Sequence, residues 1–477
     1  MMWYNIFKFE INYRIKRPET YIFFVFLFLF AIVGVDFIFQ GFDFTVVKKN
    51  APLIIAKTMG AITGFFMILA SMIMGVPVIR DFEYNIESLM FVNPIKKRDY
   101  LLGRFLGSFA VLLFVFTGIL FGMILGQFMP WQDAINFNSF EFLTYLQPFI
   151  FITLPALFFG ACLFFVTGAL SRKLVVVYTQ GIILFVIFLL TKAITNEFVQ
   201  SLLDPFSLTT LTLYTDTWTM TERNIQNIQF DGVLLYNKLF WMILGFVVLL
   251  FGHHKFNFNT VKNGRVKRKK LLDNPIKFDY QKKLPEFKLQ YGLKAKWAQL
   301  KHFSWFYFVS VCKQPSFWAI MICGMIIILI NSVNLGTVYG VDSFPATYFI
   351  VEELQETSSY FFIIILVFYS GELIWKEREA NLNLIYDATP MSNFINIAGK
   401  YLGLLGIYLI LIISLIISGI IFQTMNGYYN YEFQVYFYGF FLEILPFLAL
   451  FTFIAFFFQV ITNNKFVGIV VVMVFFI

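Results

Sequence analysis

The chain alternates long apolar runs with short polar intervals. Roughly 20 consecutive apolar residues, wound as a helix, cross the hydrocarbon core of a bilayer. Such runs lie at Tyr21–Phe39, Leu53–Val78, Leu101–Phe128, Phe149–Leu170, Val175–Ile194 and Leu239–Phe251, the sixth starting nearer Val233. After a basic segment a second series follows, at Phe317–Val333, Tyr360–Ile374, Ile397–Phe422, Val435–Ile461 and Phe466–Ile477. At about 1.5 Å per residue the last run is too short to span alone. Its abrupt end points to a chain that continues past Ile477. The pattern predicts an all-α polytopic integral membrane protein. It divides into a first six-span unit (residues 1–252), a basic connector (253–302) and a second unit (303–477) that stops at its fifth span.

Charge supports this reading and orients it. Charged residues make up 13% of the chain, against roughly 25% in soluble domains. The net charge of +8 is gathered in particular loops, so it reads as topology rather than as nucleic-acid binding. Lys8, Arg14, Lys16 and Arg17, then Arg80, Lys96, Lys97, Arg98 and Arg104, then Arg172 and Lys173, and finally the connector fall on one side. Pro130–Leu146 and Asn334–Ser359, on the other, have no Lys or Arg; Lys48 and Lys49 are the main exceptions. The N-terminus is therefore predicted to be cytoplasmic. Cys162, Cys312 and Cys323 have no metal-ligand spacing, and His253, His254 and His302 are too few for a metal site.

Internal repetition is the sharpest signal. "DFEYNIESLMFVNPIKKRDYLLGRFLG" (Asp81 to Gly107), shifted by 296 positions, lands without gaps on "EREANLNLIYDATPMSNFINIAGKYLG" (Glu377 to Gly403). Glu83 meets Glu379, Asn85 meets Asn381, Pro94 meets Pro390, and Gly103 and Gly107 meet Gly399 and Gly403. Asp81 and Arg104 meet Glu377 and Lys400 with charge sign kept. Each copy lies between the second and third spans of its unit. The start of each unit repeats more weakly, with Lys16–Arg17 and Pro18 answered by Lys313 and Pro315. The stretches before these cations carry apolar residues at helical spacing, as in helices that lie along a membrane surface.

Phe82, Ile86, Leu89 and Met90 recur at helical spacing between acidic residues, which predicts a short amphipathic helix ended by Pro94. Arg104 and Lys400, at the start of the next span, are expected to reach out to lipid headgroups. Any membrane protein needs polar loops. Two ungapped copies with Glu, Asn, Pro, Gly and a cation in register point instead to a docking site for a soluble partner with two equivalent surfaces.

These residues resemble the signature of ABC-2-type permeases, the membrane halves of one class of ABC transporter. That signature runs Glu-Arg-Glu-x-Gly-Thr, a short apolar stretch, Thr-Pro, then Gly-Lys. Glu377, Arg378, Glu379, Thr389, Pro390, Gly399 and Lys400 fit it, as do Glu83, Pro94, Gly103 and Arg104. Asn85 and Asn381 stand where the family has Gly, and Asn is the residue next most tolerant of left-handed backbone. The Thr that follows is absent. The resemblance implies a coupling helix, bearing Asp81, Glu83, Asn85, Pro94, Glu377, Arg378, Glu379, Asn381 and Pro390, that sits in a groove of a nucleotide-binding ATPase. It also implies two ATPase subunits per chain, with ATP and magnesium bound there, and export across a bacterial inner membrane.

No phosphate-binding loop of the GxxxxGK[ST] type occurs in the chain, and no HExxH zinc motif. The chain itself is therefore expected to be no enzyme and to need no cofactor or metal, although some long relatives carry a zinc aminopeptidase domain after the membrane units. Lys16, Arg17, Arg104, Lys313 and Lys400 are read as membrane-interface cations, and the Arg265–Lys270 run as a positive-inside anchor, with binding to anionic lipid headgroups as the sharper alternative. Glu372 is expected at the interface, snorkelling or gating, and Glu443 as an interior polar contact. The competing reading is an ion-driven secondary transporter with two parallel six-span halves.

Overall fold

The computed structural model describes residues 2–37, 47–84, 86, 90, 94–172, 174–191, 194, 196–258, 292–314, 317–318, 320–322, 324–325, 337–338, 341–342, 346–379, 382, 388, 392–462 and 464–476. The protein is an all-α polytopic membrane protein. Among the described residues five helices are long and apolar enough to cross a bilayer, or eight if each bent pair counts as one span.

Helix α1 (Met2–Ile15) ends just before Pro18, which opens α2 (Pro18–Phe37). Proline has no N–H to donate, so it suits a helix start, and the two helices meet at 71°. That angle suits a first helix lying along a surface and a second that enters the membrane. The run predicted as one span from Leu53 is two helices, α3 (Pro52–Phe65) and α4 (Met67–Glu83), bent by 50°. At the bend the buried ring of Phe66 packs edge-on against Phe26 and Phe30, with centroids 5.3 and 4.7 Å away. Nothing in a uniformly apolar run announces such a wedge.

Helix α5 (Lys97–Gln127) lies along both α1 and α2. Helix α6 (Phe142–Ser171) contains a π-turn at Phe149–Thr153, just before Leu154–Pro155. Pro155 cannot donate to the preceding turn, and a π-turn is a common accommodation of a broken ladder. Helix α7 (Leu174–Thr191) follows.

A cap of three short helices follows, α8 (Glu197–Leu203), α9 (Leu208–Tyr214) and α10 (Met220–Ile225). It rests on the start of α11 (Gly232–Lys255), which packs along α6. Asn237 holds the cap down. Its Nδ2 donates to the carbonyls of Ser201, Leu202 and Asp204, and its Oδ1 accepts from Ser207 Oγ. Asn237 is fully buried. Asn237→Ala is expected to lower stability by about 2–4 kcal/mol, since several buried carbonyls lose their donor at about 1–3 kcal/mol for each unsatisfied group. Limited proteolysis should then cut first between 196 and 231.

The second unit repeats the plan. Helix α12 (Leu293–Cys312) matches α1, and a two-residue antiparallel pair, β1 (Thr337–Val338) with β2 (Val341–Asp342), precedes the next long helix. Helix α13 (Thr347–Glu379) starts well before the predicted Tyr360, so residues expected in a loop, Glu352 among them, are helical. Helix α14 (Asn393–Met425) lies along α12 as α5 lies along α1. Helix α15 (Phe433–Ile461) has its own π-turn at Tyr438–Ile444, again just before Leu–Pro. Helix α16 (Lys465–Phe476) packs on α13 and α15, as α7 packs on α4 and α6. The units touch where Asn464 donates to Glu19 at 2.8 Å and where the rings of Tyr178 and Phe368 meet at 5.8 Å.

Candidate functional site

The described ends of the polar stretches found by repetition sit where three elements converge: the first helix of each unit, the end of the second span and the start of the third. The glycines of the repeat set this geometry. A Cβ at Gly103 would stand 2.7 Å from Ile6 Cβ, and one at Gly107 2.7 Å from Glu10 Cβ. In the second unit a Cβ at Gly399 would stand 2.8 Å from Phe303 Cβ, and one at Gly403 3.0 Å from Tyr307 Cβ. Each glycine pair is a seat for the surface helix. Glu10 and Tyr307 are thereby counterparts, separated by 297 positions.

In the first unit this seat is an ion cluster. Glu10, 0% exposed, accepts from Arg14 Nε at 2.9 Å, Arg80 Nη2 at 2.8 Å and Arg104 Nη1 at 2.5 Å. Arg104 Nη2 also bonds both oxygens of Asp81 at 2.8 Å, and the Tyr100 hydroxyl donates to Asp81 at 2.6 Å. Arg14 Nη2 reaches the Ile73 carbonyl on α4, and the Arg80 guanidinium lies 4.1 Å from the centre of the Tyr13 ring. Burial alone would push the Glu10 carboxyl up. The guanidiniums of Arg14, Arg104 and Arg80 outweigh it and hold the carboxyl down at about 2. Three cations against two carboxylates leave an excess of positive charge inside the cluster.

The second unit builds the same clamp with gentler chemistry. Lys400 Nζ bonds Glu377 Oε2 at 2.8 Å, the Tyr307 hydroxyl bonds the other Glu377 oxygen, and Asn396 stands beside both. Lys376 donates to Ser310, the counterparts of Arg80 and Tyr13. Glu377 retains some exposure where Glu10 has none.

These contacts correct two expectations. Arg104 and Lys400 do not reach out to headgroups; both are buried, because each has a carboxylate partner inside the bundle. Asp81, with Phe82 and Glu83, does not begin a separate amphipathic helix but forms the last turn of α4, and Glu377, Arg378 and Glu379 likewise end α13. The inward pairing of Asp81 and Glu377 extends the spans by that turn. The same bond follows both ends: Ile86 N–H donates to the Asp81 carbonyl and Leu382 N–H to the Glu377 carbonyl, each at 2.9 Å. In this six-residue closure the fifth position commonly takes Gly or Asn, and Asn85 and Asn381 occupy it in the sequence.

The other predicted residues are scattered outward. Pro94, Lys16, Arg17, Lys313 and Arg378 are exposed, Arg17 donating to Tyr13 and Arg378 lying over the Trp375 ring. Asn85, Asn381 and Pro390, and the side chains of Glu83 and Glu379, lie outside the described residues, as does most of the connector. Its first residues do bear on the clamp, for the ring of buried Phe256 stacks on Tyr100 at 6.0 Å.

Sequence reasoning missed Glu10, Arg14, Tyr307 and Asn396. For Glu10 and Arg14 the available signal was an acid and a base four apart on one helix. Two further expectations change. Glu372 does not snorkel; it is buried and bonded to Lys465 at 2.9 Å, because α16 closes over it. Glu443 is not interior; it is exposed and takes a hydrogen bond from Gln355 at 3.0 Å. Among the described residues no group of three His, Cys, Asp or Glu side chains could hold a metal ion. No protein-family model matches the chain, and no curated protein matches it either.

Proposed function

We propose that this protein is the membrane-spanning part of an ABC transporter of the ABC-2 type, with both permease units in one chain. Under this reading two ATPase subunits dock below residues 83–94 and 379–390, and ATP with magnesium binds in those subunits. The clamp end of the bundle then faces the cytoplasm, in the inner membrane of a bacterium, and transport is export of a large or amphipathic cargo.

The observation that carries the proposal is the repeated clamp. A push on the polar stretch of either unit must move three elements together, since Glu10 or Tyr307, Asp81 or Glu377, and Arg104 or Lys400 tie surface helix, second span and third span into one body. That is the mechanical linkage a coupling element needs. The resemblance of both stretches to the ABC-2 signature supports the same reading.

The test is a pull-down from native membranes followed by reconstitution with the recovered ATPase. Glu83→Ala combined with Glu379→Ala is expected to lower ATPase retention or coupled hydrolysis at least tenfold, while leaving the permease folded. Recovery of no ATPase with or without ATP, or wild-type behaviour of the double variant in a hydrolysing complex, would sink the assignment. The buried Glu372–Lys465 pair favours the second reading, an ion-driven transporter. Cargo flux in proteoliposomes driven by a proton gradient, without ATP, would establish that one.

A further inference from the structure

In the first unit, at the span ends away from the clamp, a cavity of about 220 Å³ opens between the start of α3, the loop joining α5 to α6, and α10 of the cap. One water needs about 10–15 Å³ of such space, so a small solute fits. Its wall is held together by amides. Asn50, 5% exposed, pairs twice with Asn138: its Nδ2 donates to the Asn138 carbonyl at 2.8 Å, and its Oδ1 accepts from the Asn138 N–H at 2.6 Å. Asn138 Nδ2 donates to the Asn224 carbonyl at 3.0 Å, and Asn224 Oδ1 accepts from the Lys48 N–H at 2.8 Å. Three segments distant in sequence thus share one polar wall.

Each of these amides already donates, Asn224 Nδ2 to the Met220 carbonyl. The two lysines of the preceding loop are engaged elsewhere: Lys48 Nζ donates to the Ile135 carbonyl and Lys49 Nζ to Gln132 Oε1. What stays open is oxygen. Asn138, Ser139 and Glu141 line the cavity, and among the described residues Asn138 Oδ1, Ser139 Oγ and the Glu141 carboxylate accept no hydrogen bond. Among those residues no Lys, Arg or His lines the cavity. An anion would therefore meet a carboxylate and no lining cation. An ammonium group offers three donors and no acceptor, which matches three open oxygens of which one is charged. The partial positive charge at the starts of α3 and α6 is spread over their first N–H groups and screened near water, so the full charge of Glu141 sets the sign at these oxygens.

We propose that this cavity binds a primary ammonium group, with Glu141 as its counter-ion and Asn138 and Ser139 as its neutral acceptors. The group belongs to a free small amine or to the headgroup of an ethanolamine phospholipid, which present the same three donors. The proposal does not depend on ATP coupling.

The test uses the full chain in nanodiscs of phosphatidylcholine and phosphatidylglycerol, lipids without a primary amine, and titrates ethanolamine by saturation-transfer NMR. Binding should be saturable, and ethylene glycol, with a hydroxyl in place of the ammonium, should bind at least tenfold more weakly. Glu141→Gln should raise the ethanolamine Kd at least tenfold, the loss of a charge-assisted hydrogen bond, and Ser139→Ala about threefold. Both side chains are exposed, so both variants should keep the wild-type Tm. A second arm adds phosphatidylethanolamine to the nanodiscs. If the headgroup is the occupant, native mass spectrometry should find that lipid retained on the wild type and at least tenfold less on Glu141→Gln. If the occupant is a free amine, the added lipid should leave the ethanolamine Kd unchanged. No saturable ethanolamine binding together with no lipid retention that depends on Glu141, equal affinity for ethylene glycol, or wild-type affinity in folded Glu141→Gln would each overturn the proposal.

Discussion

Glu10→Gln is expected to cost about 3–5 kcal/mol of stability, the penalty typical of breaking a buried ion pair by removing one partner. The variant keeps the size of the side chain and removes the charge that Arg14, Arg80 and Arg104 share. Thermal unfolding in detergent should show it, and Lys400→Met should cost less, since Glu377 is partly exposed and keeps the Tyr307 and Asn396 bonds. The pH dependence follows from the same carboxyl. Its folded-state value is depressed from 4.5 to about 2, so its contribution is fully present above about 4.5 and is lost as pH falls through about 2. At about 1.36 kcal/mol per pH unit that contribution is about 3 kcal/mol. A stability difference between wild type and Glu10→Gln that persists below pH 2 would contradict this account.

The second large effect is expected at Gly122. Helices α2 and α5 approach so closely there that a Cβ would run into the Phe28 carbonyl oxygen and stand 2.8 Å from Ala31 Cβ. A backbone oxygen cannot rotate away as a side chain can, so the helices must part. Overpacking of this kind costs about 1–3 kcal/mol and occasionally more. Gly122→Leu is expected at or above the top of that range, read as loss of the monodisperse peak in size-exclusion chromatography. Gly292→Ala, where a Cβ meets nothing within 4 Å, should leave the peak unchanged. Equal behaviour of the two variants would mean that α2 and α5 do not pack as described.

Much of the fold can be read from the chain because a bilayer imposes a length and a polarity on each element. The run predicted at Leu101–Phe128 is a helix over Lys97–Gln127, and that predicted at Ile397–Phe422 is one over Asn393–Met425. The bend at Phe66 and the early start of α13 are not legible. The first depends on rings brought from α2, and the second on a polar sequence, "VEELQETSS", that is neither clearly span nor clearly loop.

The candidate site was half legible. Repetition marked Asp81, Gly103, Arg104 and their counterparts as belonging together. It could not show that these charges face inward. A cation near a span end satisfies the same pattern whether it reaches for lipid or for a carboxylate, and the choice turns on a third group. For Arg104 that group is Glu10, 94 residues away; for Lys400 it is the Glu377–Tyr307 pair.

The sequence by itself determined the membrane class, the apolar helices and the internal repeat, because hydropathy and repetition are properties of the linear chain. Only the tertiary structure decided which polar groups are partners and where spans kink. The free energy of a buried charge depends on what lies within a few ångströms of it, and residues far apart in sequence supply those neighbours.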